Sequence, residues 1–117
     1  MAKGKGKGGK LANRYARALL RAVEGSVEGR GAIATVAEAL LSFSAIWERE
    51  ELLSAAVLNP MFDNRERLAA LLAVAGQAGA PEILKRFLTV VFENDRIDAL
   101  PEIAAAFNDI ADEAAKI

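Results

Sequence analysis

The residues that look most suited to binding chemistry stand at the start of the chain, where glycines and lysines alternate. Gly4, Gly6 and Gly9 fit the phosphate-binding pattern G-x-G-x-x-G. A P-loop is nearly matched as well, but Leu11 occupies the position of the hydroxyl that holds magnesium. A phosphate cradle needs a strand that delivers the loop, and too few residues precede Gly4 to form one. The pattern therefore favours a flexible Gly/Lys arm over residues 1–10, ordered only against an anionic partner.

Carboxylates are the other candidates for chemistry, because the chain contains neither cysteine nor histidine. Thiolate and disulfide chemistry are excluded, and the commonest metal ligand and general base is missing. Two acidic clusters are present: Glu48, Glu50 and Glu51, and Asp109, Asp112 and Glu113. No nucleophile or base accompanies either cluster, and such groups usually decorate solvated helix faces. We predict no catalytic residue, no cofactor and no metal site.

Composition indicates one helical domain. Of the 117 residues, 53% are hydrophobic, and only three are proline. Alanine and leucine dominate, which favours helices. The lysines of the arm give the first ten residues a charge of +4, so the remainder, with eleven basic and sixteen acidic residues, is mildly acidic. No uninterrupted apolar run approaches the ~20 residues of a membrane span, and no secretory signal is indicated.

Periodicity predicts an all-α fold, a six-helix bundle with short loops. Gly25, Gly29 and Gly31 separate the first two helices, and Asn59-Pro60 ends the third. Asp63 and Glu66 are spaced as a capping box at the start of the fourth. The predicted helices are Leu11 to Val23 or Glu24, Ala32 to Glu48, Glu51 to Leu58, Asp63 to Gly76, Pro81 to Asn94, and Ala99 to the end.

Helices one and five carry more apolar surface than helices that pack on one side. In each, apolar residues cover an arc of roughly 200°, about twice what one-sided packing needs. Two explanations are open at this point. Either both helices lie at the centre of the bundle, or part of each arc forms a groove for another protein's helix. In the second case Ala18 and Ala22 permit close approach of a foreign backbone, and Tyr15 is an amphipathic anchor.

Three ordered segments resemble the N-terminal domain of the delta subunit of F-type ATP synthase, whose mitochondrial counterpart is the oligomycin-sensitivity-conferring protein. They are NRYARALLRAVEGS (13–26), LLSAAVLNPMFDNRERLAALL (52–72) and FLTVVFENDRIDALPEI (87–103). Together they cover most of residues 12 to 110. The resemblance implies a six-helix bundle, in agreement with the periodicity.

The resemblance also implies a function, that of a non-catalytic stator subunit that binds the amphipathic N-terminal helix of an alpha subunit between helices one and five. Carried over by position, the groove residues are Tyr15, Ala18, Leu19, Ala22, Val90, Val91 and Asn94. Peripheral-stalk b subunits are expected to bind a second domain that residues 11–117 do not include. The implied location is the cytoplasmic face of a bacterial inner membrane, or the matrix or stromal side in an organelle, without direct membrane insertion.

A second hypothesis is nucleic-acid binding through the lysine arm and Arg14, Arg17 and Arg21, which share one helix face. The folded part is acidic, however, and no aromatic residue lies on the helix face of these arginines. A solvated basic face is the commoner explanation for such a pattern, so the partner prediction is an alpha-subunit helix and not a nucleic acid.

Overall fold

The computed structural model describes the backbone of residues 5–115 and the side chains of residues 9–115. Within the described backbone the chain forms six α-helices and no strand, which confirms the all-α, six-helix prediction. The helices are α1 (Lys5–Glu24), α2 (Ile33–Arg49), α3 (Glu51–Leu58), α4 (Asn64–Gln77), α5 (Glu82–Glu93) and α6 (Leu100–Ala115). Single 3₁₀ turns at Gly29–Ala32 and Ile97–Ala99 precede α2 and α6.

Most helix ends fall where the local sequence predicts them. The helix α3 has the predicted bounds, and Asp63 caps α4 by accepting a hydrogen bond from the backbone N–H of Arg65 at 3.4 Å. After α4, Gly79 adopts a left-handed conformation with φ of 83°, which glycine does without steric cost.

The start of α1 differs from the prediction. The helix begins at Lys5, six residues before the expected Leu11, and so includes Gly6 and Gly9 of the phosphate-like pattern. Extending an existing helix requires no new nucleation, and the intervening lysines are good helix formers. A helical backbone at these glycines is not the loop of a phosphate cradle. The flexibility of the arm stays a prediction, and residues 1–4 lie outside the described residues.

The helix α6 packs against both α1 and α2, and these are the most extensive contacts between helices in the bundle. Leu100, Ile103 and Phe107 of α6 are buried, and so are Ile33, Val36, Leu40, Phe43 and Trp47 of α2. Of the two explanations for the apolar arcs, the contacts do not support the one in which α1 and α5 are both surrounded at the centre, because α1 packs mainly against α6. α1 packs less extensively against α5 than against α6.

Arg67 of α4 contacts both α3 and α5. Its Nε donates a hydrogen bond of 2.7 Å to the carbonyl of Val57 at the end of α3. Its guanidinium also lies 5.1 Å from the ring centroid of Phe92 on α5, within the range of a cation–π contact. Because Val57 is fully buried, its carbonyl depends on this arginine once the helix has ended.

The segment Gly29–Arg49, which contains α2, has the length and mean hydropathy (1.2) of a membrane span, and it is the one such segment among residues 5–115. Alanines raise its hydropathy without forming an uninterrupted apolar run, since Glu38 interrupts it. In the structure its larger apolar residues, such as Leu40 and Phe43, are buried in the bundle, so we assign the segment to the core.

Candidate partner-binding groove between α1 and α5

The helix α1 divides its surface into three parallel rows, each displaced from the next by one residue, or about 100°. The row that faces the core is buried and consists of Ala12, Ala16, Leu19 and Val23. The row one residue earlier is partly or fully exposed and consists of Leu11, Tyr15, Ala18 and Ala22. A third, exposed row carries the charges of Arg14, Arg17 and Arg21. The apolar arc of α1 is thus only half covered by its own chain.

The helix α5 repeats this arrangement. Its buried row consists of Leu84, Leu88 and Val91, which the bundle covers completely. The neighbouring row consists of Ile83, Phe87, Val90 and Asn94, and it is exposed at Val90 and Asn94. Val90 is a large apolar side chain, yet 49% of its surface is exposed.

Tyr15 connects the two open rows. Its hydroxyl oxygen accepts a hydrogen bond of 2.9 Å from Nδ2 of Asn94, across 79 residues of sequence. Its ring meets the ring of Phe87 edge-on, with the centroids 6.5 Å apart and the planes at 69°. This is a favourable geometry for an aromatic pair. The structure therefore brings Tyr15 and Asn94, two of the predicted groove residues, into direct contact.

The end of α5 holds Asn94 in the position that permits this contact. The backbone N–H of Arg96 bonds to the carbonyl of Val91, and that of Asp95 to the carbonyl of Phe92, both at 2.9 Å. Asp95 has a φ of 60°, so the turn is a Schellman motif with aspartate at the left-handed position. Asn94 is thereby fixed at the last turn of the helix, where its amide reaches across to α1.

The seven predicted groove residues fall into two groups, one accessible to solvent and one buried. Tyr15, Ala18, Ala22, Val90 and Asn94 are accessible, and we call this set, with Phe87 beneath Tyr15, the α1/α5 groove. Leu19 and Val91, with exposures of 1% and 0%, are not accessible. This corrects their assignment as direct contacts: each belongs to the core row of its helix and supports the groove from below.

Phe87 is the residue that sequence reasoning left out of the site. It lies seven residues before Asn94 and three before Val90, so helical spacing places the three on one face. The sequence alone could therefore have indicated that Phe87 lies beside Val90 and Asn94. The ring is nearly buried, with only 9% exposed, and it forms the floor under Tyr15 rather than a rim.

The groove is suited to binding a helix and offers no catalytic constellation. It combines small residues, an aromatic anchor, one half-exposed aliphatic residue and an amide, with the arginine row along one edge. Among the described residues no group of three or more acidic side chains is arranged to hold a metal ion. A separate concavity between α2 and α6, lined by residues such as Ile33, Leu41 and Asn108, shares no residue with the groove.

The chain is similar in sequence to delta subunits of ATP synthase. The family described as ATP synthase delta (OSCP) subunit matches residues 11–117. Proteins named ATP synthase subunit delta are similar to the chain in Desulfatibacillum aliphaticivorans, with 32% identity over 104 residues, and in Brucella abortus strain S19, with 36% identity over 103 residues. The matches cover 89% and 88% of this chain, and 55% and 53% of the relatives. The chain thus spans about half the length of these curated relatives. No solved structure gives a significant match.

Proposed function

We propose that this chain, which belongs to the ATP synthase delta (OSCP) subunit family, binds the amphipathic N-terminal helix of an alpha subunit in the α1/α5 groove. In this proposal its function is mechanical and not catalytic. It is part of the stator, which keeps the catalytic head from turning with the rotor.

The observation that carries the proposal is the pair of half-covered apolar rows joined by Tyr15 and Asn94. Each row exposes positions at three- and four-residue spacing, which is the spacing at which a partner helix presents its own side chains. Ala18 and Ala22 add little bulk, so a partner backbone can approach α1 closely. The arginine row beside them favours a partner helix with carboxylates along that edge.

Apolar contact suits a stator because it slows dissociation, the step in which most affinity differences between related complexes arise. A fully buried aliphatic side chain contributes about 1.5 to 3 kcal/mol of transfer free energy, and Val90 still has half of its surface to bury. Ordering of the incoming helix opposes this gain. Several such contacts along two helical turns are therefore needed, and the groove is long enough to supply them.

The remaining parts of the proposal concern the whole subunit. Because this chain spans about half the length of its relatives, attachment to the b subunits of the peripheral stalk is proposed for other parts of the subunit. The proposed location is peripheral, on the cytoplasmic face of a bacterial inner membrane or on the corresponding side of an organellar membrane.

The direct test is titration of the isotope-labelled chain with a synthetic alpha-subunit N-terminal peptide, followed by amide chemical shifts. We expect the largest shifts on the open rows, at residues such as Ala18, Ala22 and Val90. Shifts confined to α2, α4 or α6 would refute the site, and no shifts at high peptide concentration would refute the partner.

A matched pair of substitutions sharpens the test. Ala18→Asp places a carboxylate where the partner backbone is expected, and burying an unpaired charge has no compensation there. We expect peptide binding to be lost. Ala45→Asp makes the same change at an exposed position of α2 and serves as the control. Equal affinity of both folded variants, measured by calorimetry, would contradict the groove.

A further inference from the structure

A second apolar surface lies on the outward face of α3 and the turn that follows it. Its exposed residues are Leu52, Ala55, Leu58, Met61 and Phe62, and we call them the α3 patch. Leu52 and Met61 are 88% and 86% exposed, and several large exposed apolar side chains in one patch are typical of an interaction surface. None of these residues belongs to the α1/α5 groove, so the α3 patch is independent of the function proposed above.

The spacing within α3 shows that the outward apolar residues form one continuous face. Leu52, Ala55 and Leu58 follow one another at intervals of three residues, and all three are exposed. On the opposite side of the helix, Val57 is fully buried. A helix that is apolar on both sides is normally covered on both sides. Here α2 and α4 cover only one side, and the other is open to solvent.

The turn after α3 presents its side chains in a fixed geometry. The side-chain oxygen of Asn59 accepts a hydrogen bond of 2.9 Å from the backbone N–H of Met61. The backbone carbonyl of Asn59 accepts a second, of 3.2 Å, from the N–H of Phe62. These bonds and the rigid ring of Pro60 restrict the backbone conformation of residues 59–62. Met61 and Phe62 thus extend the apolar face beyond the end of the helix.

The charges around the α3 patch determine what it attracts. Residues 48–67 include five acidic and three basic side chains. Arg49 and Glu50 offset each other at 3.5 Å, which leaves four carboxylates against Arg65 and Arg67. The border is therefore acidic. It repels anionic lipid and disfavours a second copy of the same face, whereas it attracts cationic flanks.

We propose that the α3 patch binds an amphipathic helix of another polypeptide, one with leucine-like residues on its apolar face and lysines or arginines on both flanks. The apolar face of that helix covers Leu52, Leu58 and Met61. Its cations meet the acidic border, so the interaction weakens as salt screens the charges. Flexible Met61 allows the surface to adapt to the shape of its partner.

The test uses a designed peptide of about 18 residues, long enough to form an isolated helix, made of leucine and lysine in an amphipathic pattern. A second peptide carries glutamate in place of every lysine. We expect the Leu/Lys peptide to shift amides of α3 and residues 59–62 of the full chain, and the Leu/Glu peptide to leave them unchanged. Equal effects of both peptides, or shifts confined to α1 and α5, would overturn the proposal.

Substitutions then separate specific docking from general attraction. Leu52→Ser combined with Met61→Ser changes only highly exposed side chains, so the fold is retained. We expect the affinity for the Leu/Lys peptide to fall about tenfold or more. Val27→Ser alters a fully exposed apolar residue outside the patch and is the control, with an expected change below about twofold. Equal loss in both variants would overturn the proposal. So would concentration-dependent dimerisation that the double substitution abolishes, because it would assign the patch to self-association.

Discussion

Val90 and Val91 are neighbours in sequence with opposite environments, and replacing each with alanine separates partner binding from folding. Val91 is fully buried, so Val91→Ala removes two methyl groups from the core and leaves a cavity. At about 0.8 kcal/mol for each buried carbon, plus the cavity, the expected loss of stability is about 1.5 to 3 kcal/mol. Val90 is 49% exposed and contributes much less to folding, so Val90→Ala is expected to cost under about 0.5 to 1 kcal/mol.

Binding is expected to respond in the opposite order. Complete burial of the remaining half of Val90 by a docked helix is worth roughly half of 1.5 to 3 kcal/mol. Alanine keeps the β-carbon, so the expected loss is about 0.5 to 1 kcal/mol, a two- to fivefold rise in the Kd of the alpha N-terminal peptide. Val91→Ala is expected to leave that Kd nearly unchanged at a temperature where the variant is folded.

The measurements are urea unfolding for stability and isothermal calorimetry for peptide affinity, on both variants and the parent chain. The reasoning is refuted if Val90→Ala binds as tightly as the parent, because the open row of α5 is then not a contact surface. It is equally refuted if Val91→Ala weakens binding while stability is unchanged, because the division into core and open rows is then incorrect.

Four further substitutions test individual features of the fold and the groove. Arg67→Leu is expected to lower the free energy of unfolding by about 2 kcal/mol, because a buried carbonyl of α3 loses its hydrogen-bond donor. The control Arg65→Leu changes an exposed position and is expected to cost under about 0.5 kcal/mol. Equal urea midpoints of the two variants would contradict this prediction. Asp63→Ala is expected to cost about 0.5 to 1 kcal/mol through loss of the α4 cap, and Asp63→Ser to restore most of it in the same assay. Asp95→Gly is expected to raise the melting temperature, since glycine adopts the left-handed turn without strain, and an unchanged or lower value would contradict that. Tyr15→Phe keeps the aromatic contact and removes one partly exposed hydrogen bond, so unfolding is expected to change by less than about 1 kcal/mol, and a larger loss would mean that the bond contributes more than its exposure implies.

Most helix bounds were predictable from sequence because they depend on local chemistry. Asn59-Pro60 ends α3, Asp63 caps α4, and Gly25 follows α1, each by a mechanism within a few residues. The start of α1 was not predictable in this way. Glycine-rich sequence favours an arm, whereas the helix that follows can extend backward at little cost.

The candidate site was predictable only in part. Apolar arcs of roughly 200° correctly indicated that α1 and α5 have more apolar surface than one neighbour needs. They did not distinguish Leu19 from Ala18, or Val91 from Val90, because adjacent residues differ by only about 100° around the helix. The contacts of Tyr15 with Phe87 and Asn94 join distant parts of the chain, so local sequence does not predict them. Nor does it predict the open face of α3, which depends on the sides that α2 and α4 cover.

The sequence by itself determined an all-helical chain, where most helices stop, which residues are apolar, and the absence of thiol and imidazole chemistry. The tertiary structure alone decided which neighbours each helix packs against, and therefore which half of each apolar arc is covered. The physical reason is that periodicity gives each helix a direction for its apolar residues, while burial depends on how much area the neighbouring helices supply. For α1, α5 and α3 the neighbours supply less than the sequence offers, and the uncovered remainder is the surface on which both proposals rest.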